Sequence, residues 1–308
     1  MKLKTISELL DSYKSNNNKI FGEKLIFKGI EGKDVYNITA PFEDDGDLVI
    51  AGRVEDRNCE QSKVKFFINR DGVWIPRTNT VEFDLQDPFV TLIDSELIFG
   101  GVEIHPHPII KGASGYKTVF YRGQNINSLK KFTEGPEMMK DIRLVKLING
   151  EIGVFTRPQG EAGKRGKIGF TKIKSLEELN SDVISMTPLL EGQFADDEWG
   201  GPNQIHILEN GLLGILGHIA CFDNEGNRHY YSMVFAYNAD TDEASEIKII
   251  AARSDLPRGE AKRPDLEDVI FSGGLVRLKN GKAELYLGAS DAEAYKAIID
   301  DPFAEYER

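Results

Sequence analysis

An all-β, five-bladed propeller with a short N-terminal helix is the fold that this 308-residue sequence predicts, as a single domain over residues 1–308. Three observations carry it. Five times an apolar run reaches a short polar turn and a second apolar run leaves it, around Gly46, Ser95, Gly150, Gly211 and Gly281. The steps between those turns are 49, 55, 61 and 70 residues, room for a repeated four-stranded unit. Three of the turns are Asn-Gly, the strongest short-range hairpin signal, in which both central residues are expected at positive φ.

The remaining elements follow in chain order. Leu3, Ile6, Leu9, Leu10 and Tyr13 recur at helical spacing and predict a short amphipathic helix over residues 3–15. Residues 63–70 and 72–77 read as outer strands of the first blade, and 116–123 as one of the second. Residues 167–173 follow the third hairpin, and 229–238 and 246–254 follow the fourth. The polar stretches 158–166 and 252–268 read as rim loops able to fold over a ligand. The tail from Ser290 reads as a closing turn of helix and an exposed end.

Composition narrows the partners. Net charge is 38 − 50 = −12, with no basic run, which argues against nucleic acid or an anionic membrane. Cys59 and Cys221 are far apart and in no metal-like spacing, so they read as reduced packing residues. No apolar run approaches the roughly 18 residues of a membrane span, and the N-terminus has no signal-like core; a cytoplasmic location is expected.

If each hairpin forms the two inner strands of a blade, its outer ends ring one mouth of the central channel. First strands begin with Asn37, Asp87, Asp141 and Arg143, Asn203 and Gln204, and Ser272 and Gly273. Second strands end with Arg53 and Glu55, Glu103 and His105, Arg157, His218, and Asp291. Any single polar strand end is ordinary surface chemistry. Five repeats placing carboxylates, amides and cations at one end point instead to a polyol beside a phosphate or carboxylate.

At this point the residues match a family. Residues 83–104 resemble the Glu-Asp-Pro-Arg segment of glycoside hydrolase family 130, the mannoside phosphorylases, and 141–160 resemble its stretch ending in His-Arg-Pro. Residues 200–220 are similar to its Gly-Pro-Pro-Pro-Ile and Tyr-His-Gly segments, and 269–292 to its Phe-Pro-Cys-Gly and Tyr-Tyr-Gly-Ala-Ala-Asp segments. Residues 36–42 and 51–56 are closer to a sister group, the former domain of unknown function 1861, which includes the mannosyltransferase-phosphorylases of glycosyltransferase family 108. The likeness runs in order from about residue 35 to 295.

The resemblance implies inverting transfer of a β-linked mannosyl unit, β-1,2-linked, to inorganic phosphate, giving α-mannose 1-phosphate. Small oligosaccharide and phosphate are then the partners, with no cofactor and no metal. Asp87 matches the lone general acid, acting through a sugar hydroxyl, and Pro88 is expected to hold it extended. Lys146, Arg157 and His218 match the phosphate-binding basics, with Arg143 an added candidate; Asn37, Arg53 and Asp291 match sugar-binding positions, and Asn203 and Gln204 join them at the mouth. The chain departs from the pattern at Gln86, Phe89, Thr156, Asn203, Gln204, Leu216 and Gly217, all close to these subsites. His105 and His107 have no counterpart, and two histidines alone make a weak metal site. Two rival readings remain. A hydrolase would need a second carboxylate, with Asp141 or Glu103 as candidates; a non-catalytic sugar-binding propeller would need none.

Overall fold

The structure, a computed structural model, describes residues 3–16 and 20–308 as a five-bladed propeller. In blade one, Asp34–Tyr36 and Phe42–Asp44 share the inner position against Asp47–Glu55, followed by Lys63–Arg70 and Val73–Pro76. Blade two runs Gln86–Ile93, Glu96–Pro106, Ser114–Gly123 and Lys130–Glu134. Blade three has Arg143–Lys146, Ile152–Thr156 and Gly169–Ile173, its edge met by a bridge to Leu189. Blade four runs Trp199–Ile207, Leu213–Phe222, Arg228–Asn238 and Lys248–Ala251. Blade five is Asp268–Arg277, Lys282–Ala289 and Glu293–Asp300, completed at its outer edge by Phe21–Lys24 from the other end of the chain.

The apolar side chains explain why five sheets close into one ring. Buried residues fall into five clusters, and each cluster fills the gap between two neighbouring blades. Every blade is thus covered on both faces. Strands buried on both sides read as continuous apolar runs instead of alternating ones, and Leu213–Ala220 is buried at every position. The expected helix is Ile6–Ser15, started by a Thr5–Glu8 capping box, and it lays Ile6, Leu9 and Tyr13 on the cluster between blades three and four.

Two expectations are corrected. The tail is no helix: Glu293–Asp300 is a strand whose Ala294, Tyr295, Ala297 and Ile299 fill two inter-blade clusters, so burial overrides the helix propensity of its alanines. The Asn-Gly turns do not place both residues at positive φ. Only Gly150, Gly211 and Gly281 do so, while Leu147 N donates to Glu151 O and Gly150 N to Leu147 O. That pattern is a three-residue loop, a type I turn followed by a left-handed glycine. Among the described residues, two-residue turns with both residues at positive φ occur at Asp45-Gly46, Asp71-Gly72 and Asp94-Ser95.

Blade five meets blade one through glycine. A Cβ at Gly273 would lie 1.5 Å from Ile38 O, a backbone atom with no rotamer to yield. Gly273→Ala should therefore lower stability by at least about 1–3 kcal/mol, read from chemical denaturation.

Candidate active site

The site begins with the backbone. The inner strands leave their ladders at the mouth end: register shifts occur between Gln86 and Phe89, Pro202 and Gln204, and Ser272 and Gly274. Asn37 (φ 44°), Asp87 (φ 48°), Asp141 (φ 59°) and Asp291 (φ 51°) occupy the left-handed region. Asn and Asp tolerate that region better than other side chains, yet each such residue stores strain, and such outliers cluster at functional sites. The bulges turn these side chains from the blade faces into the channel. Asp87 is therefore not extended before Pro88, as the sequence led us to expect.

One half of the mouth is tightly bonded. Asn37 Nδ2 donates to Asp87 Oδ1 at 2.7 Å, and Arg53 Nη1 lies 3.3 Å from the same oxygen. Arg53 also grips Glu55 Oε2 through Nε and Nη2 at 3.2 and 2.9 Å and covers the Tyr36 ring. Tyr36 Oη and Lys262 Nζ both donate to Glu55 Oε1. Burial pushes the Asp87 carboxyl up, but Arg53, Lys140 and the Asn37 hydrogen bond outweigh it and leave the group below its ordinary value. Asp291, also within the field of Arg53, makes no hydrogen bond or ion pair among the described residues, and burial leaves its carboxyl raised.

The other half is left open. Arg157 donates from Nε to Gly200 O at 2.8 Å and from Nη2 to Arg165 O at 3.2 Å. Its Nη1 lies 3.4 Å from Asp141 Oδ2 without making a hydrogen bond. Nine buried side-chain polar atoms among the described residues lack a hydrogen-bond partner, and five of them belong to Asp141, Thr156, Arg157 and Asn203 in this half. Buried polar groups are normally satisfied, so such a concentration marks where a ligand binds. Gly201 allows the convergence, since a Cβ there would lie 2.6 Å from Arg157 Cδ and 3.0 Å from His218 Cε1. A cavity of about 830 Å³ opens above, lined by Lys140, Arg157, Arg165, Tyr116, Trp199 and Tyr230 among others.

His218 is not a cation here. Burial pushes its imidazole down to about 3, and Nδ1 donates to Asn203 Oδ1 at 2.9 Å. Nε2 is then the unprotonated nitrogen of a neutral ring. Asp141 is raised by burial, but Arg157, Lys140, His218 and Arg143 hold it below the usual carboxylate range.

Several sequence candidates lie elsewhere. Lys146 projects near the hairpin turns, with Nζ 2.7 Å from Asp94 Oδ2, away from the mouth. Arg143 stays at the mouth, with Nη2 3.9 Å from Asp141 Oδ1, but its other nitrogens serve structure: Nε donates to Asn203 O at 2.7 Å, Nη1 to Ile142 O at 3.0 Å, and the guanidinium covers Phe89. Gln204 accepts from Leu275 N at 2.6 Å and contacts His206, stitching blade four to blade five. Glu103 is drawn to Lys131 and Lys117 on the neighbouring strands. His105 faces Glu137 while His107 Nδ1 accepts from Ile109 N and Ile110 N, so the two rings serve different loops. Sequence reasoning missed Lys140, Tyr36 and Lys262; only the pairing of Lys140 with Asp141 in the chain gave a signal.

NMR titration of the His218 ring should show a neutral imidazole protonated at Nδ1 throughout pH 5–8, because a depressed value keeps the charged form out of that window. A midpoint near the ordinary value of about 6.5 would contradict this.

Residues 12–305 match the family described as "Protein of unknown function (DUF1861)". No curated protein matches the chain. Among solved structures, a mannose phosphorylase from Leishmania mexicana (MPT-4), in complex with phosphate ion, is 33% identical, with 98% of this chain and 95% of that chain covered and a TM-score of 0.89. A GDP-Man-dependent mannosyltransferase of the same organism (MPT-1) is 32% identical over 99% of this chain and 96% of that one, also at 0.89. A β-1,2-mannobiose phosphorylase from Listeria innocua shares the fold at 14% identity, covering 90% and 93% of the two chains with a TM-score of 0.64.

Proposed function

The chain belongs to the DUF1861 family, and from that premise we propose that it is an enzyme of mannoside metabolism, an inverting phosphorylase of β-1,2-linked mannosides that releases or consumes α-mannose 1-phosphate. The observation that carries this reading is the unsatisfied cluster around Arg157, set against a carboxylate at Asp87 that Asn37 and Arg53 hold through Oδ1. An anion-binding hollow next to a single positioned acid is what phosphorolysis requires, because phosphate is itself the nucleophile and needs no second carboxylate.

The roles follow from position. Asn37, Arg53 and Asp291 bind the hydroxyls of the transferred sugar. Arg157, through Nη1, and neutral His218 hold phosphate on the far face of the anomeric carbon. A phosphate oxygen attacks that carbon, the glycosidic C–O bond breaks, and the configuration inverts. The departing oxygen takes a proton originating at Asp87 and relayed through a sugar hydroxyl. In the free protein Asp87 is held ionised, the form that accepts the acceptor's proton in synthesis. A phosphate dianion arriving nearby raises a neighbouring carboxyl, so phosphate binding itself favours the protonated Asp87 that phosphorolysis needs. A hydrolase on the same scaffold is the second reading, favoured by one observation: both oxygens of Asp141 are buried and unbonded, free to orient a water.

Incubation with β-1,2-mannobiose separates the two. Mannose 1-phosphate formed only when phosphate is present supports the phosphorylase; free mannose released equally without phosphate supports the hydrolase and Asp141 as its base. The acid is tested by Asp87→Asn, which keeps an acceptor oxygen for Asn37 but has no proton to give. A positioned general acid contributes roughly 10²- to 10⁴-fold, so kcat should fall by at least about two decades, with calorimetric sugar binding and Tm retained. Turnover within a few-fold of wild type would remove Asp87 from that role.

A further inference from the structure

We propose that Lys262, on the rim loop between blades four and five, is a positioning residue that reserves Arg53 for Asp87 by giving Glu55 and Glu60 a cation of their own. This deepens the phosphorylase reading, on which its kinetic consequence rests. Asp87 faces Arg53 of blade one, Lys140, Asp141 and Arg143 at the entry of blade three, and Asp291 of blade five. Among the described residues Arg53 is the cation that reaches it, through Nη1 at 3.3 Å. That guanidinium is contested. Nε and Nη2 lie 3.2 and 2.9 Å from Glu55 Oε2, and Nη2 lies 3.5 Å from Glu60 Oε2. One positive charge therefore stands among three carboxylates, of which Glu55 and Asp87 are buried.

Lys262 meets both competitors. Its Nζ donates to Glu55 Oε1, lies 3.0 Å from Glu60 Oε1 and donates to Cys59 O at 2.8 Å. The Lys262 and Glu55 side chains are 5% and 1% exposed, so salt and water screen their attraction little. Exposed Arg263 also approaches Glu60 Oε1, at 3.6 Å, but among the described residues only Lys262 and Arg53 pair with Glu55. The lysine is held in place. Its backbone N–H donates to Ser290 O at 2.9 Å, Arg253 Nε donates to Ser290 Oγ at 3.2 Å, and that hydroxyl donates to Glu267 O at 3.2 Å. The loop is thus tied at three points to the left-handed turn that carries Asp291, while its lysine crosses to blade one. Removing one partner from a buried ion pair leaves an uncompensated charge. Without the ammonium, Glu55 draws Arg53 toward itself and Asp87 loses part of its counter-charge. Its carboxyl, which burial raises but Arg53 and Lys140 pull below the ordinary value, then climbs back.

Two readouts on the full chain test this. One is a carbon-13 carboxyl NMR titration of Asp87 in the ligand-free protein, assigned by its absence in Asp87→Asn. The other is the pH profile of kcat/KM for β-1,2-mannobiose at saturating phosphate. Lys262→Gln keeps a donor for Glu55 and loses the charge, so Asp87 should titrate roughly one pH unit higher. Phosphorolysis uses the protonated acid and declines as pH rises through that value, so the alkaline limb should move up by the same amount. Lys262→Arg should return both readouts toward wild type. So should Lys262→Gln combined with Glu55→Gln, which removes competitor and cation together. An unmoved Asp87 titration in Lys262→Gln overturns the proposal, even where kcat falls uniformly with a lowered Tm, the mark of a purely architectural tie. If Lys262→Gln does not fold, Glu55→Gln decides: with one competitor fewer for Arg53 the Asp87 titration should fall, and an unchanged value overturns the proposal. Wild-type protein that releases no mannose 1-phosphate overturns the phosphorylase reading, while a raised Asp87 titration in Lys262→Gln still supports the role of Lys262.

Discussion

At the mouth of the channel the inner strands cannot remain regular, because a pleated strand alternates its side chains between the two blade faces and sends none along the channel axis. Both faces are already committed to inter-blade clusters. The polar groups of the site reach the channel only because the ladders break there, through bulges and through left-handed residues at Asn37, Asp87, Asp141 and Asp291. Most else in the molecule compensates for those breaks. Tightly filled gaps on either side hold each distorted turn in place, and glycines such as Gly201 and Gly273 admit neighbours where a Cβ would collide.

The two halves of the mouth differ in a way that electrostatics makes intelligible. Around Arg53 the buried charges are paired and bonded: Glu55 collects Tyr36, Arg53 and Lys262, and Asp87 collects Asn37 and Arg53. Breaking one member of such a network leaves an uncompensated buried charge, which is costly. This half is rigid before any ligand arrives. Around Arg157 donors and acceptors face one another just beyond bonding distance, held apart by their own anchors on Gly200, Arg165 and Asn203. In the proposed reaction the rigid half would position the sugar and the unsatisfied half would accept the anion, keeping the reactive geometry in place before the substrates bind.

Much of this was legible in the sequence, and the failures have physical causes. The five hairpins announced the ring because tight turns are local, and polar strand ends at Asn37, Arg53, Asp87, Asp141, Arg157, Asn203, His218 and Asp291 all lie at one mouth. Strand periodicity misled where the ladder bulges. Lys146 follows Arg143 at a distance that only a local bulge could bring to the same side, and the strand Arg143–Lys146 runs regularly paired to Ile152 instead. Gln204 and Arg143 carry the right chemistry but spend it on backbone carbonyls and amides that no one-dimensional pattern displays. Lys140 was overlooked because it precedes the predicted strand and carries no motif; what distinguishes it is that no partner meets its side chain among the described residues, which only the folded chain reveals.

The outer edge of blade five has a further implication, for timing. Phe21 pairs with Ile298, a separation of 298 − 21 = 277 residues, so the ring closes across almost the whole described chain. Contacts so distant in sequence form slowly, since a long loop must be closed before they yield any stabilisation. Four blades can be assembled on a ribosome while the early strand Phe21–Lys24 still lacks its neighbour. Asp291, the last of the mouth's polar groups to be synthesised, lies in the turn that leads into that neighbour. The act that latches the ring is therefore also the one that delivers the final piece of the mouth, and a nascent chain carries no half-built site for long before it becomes whole.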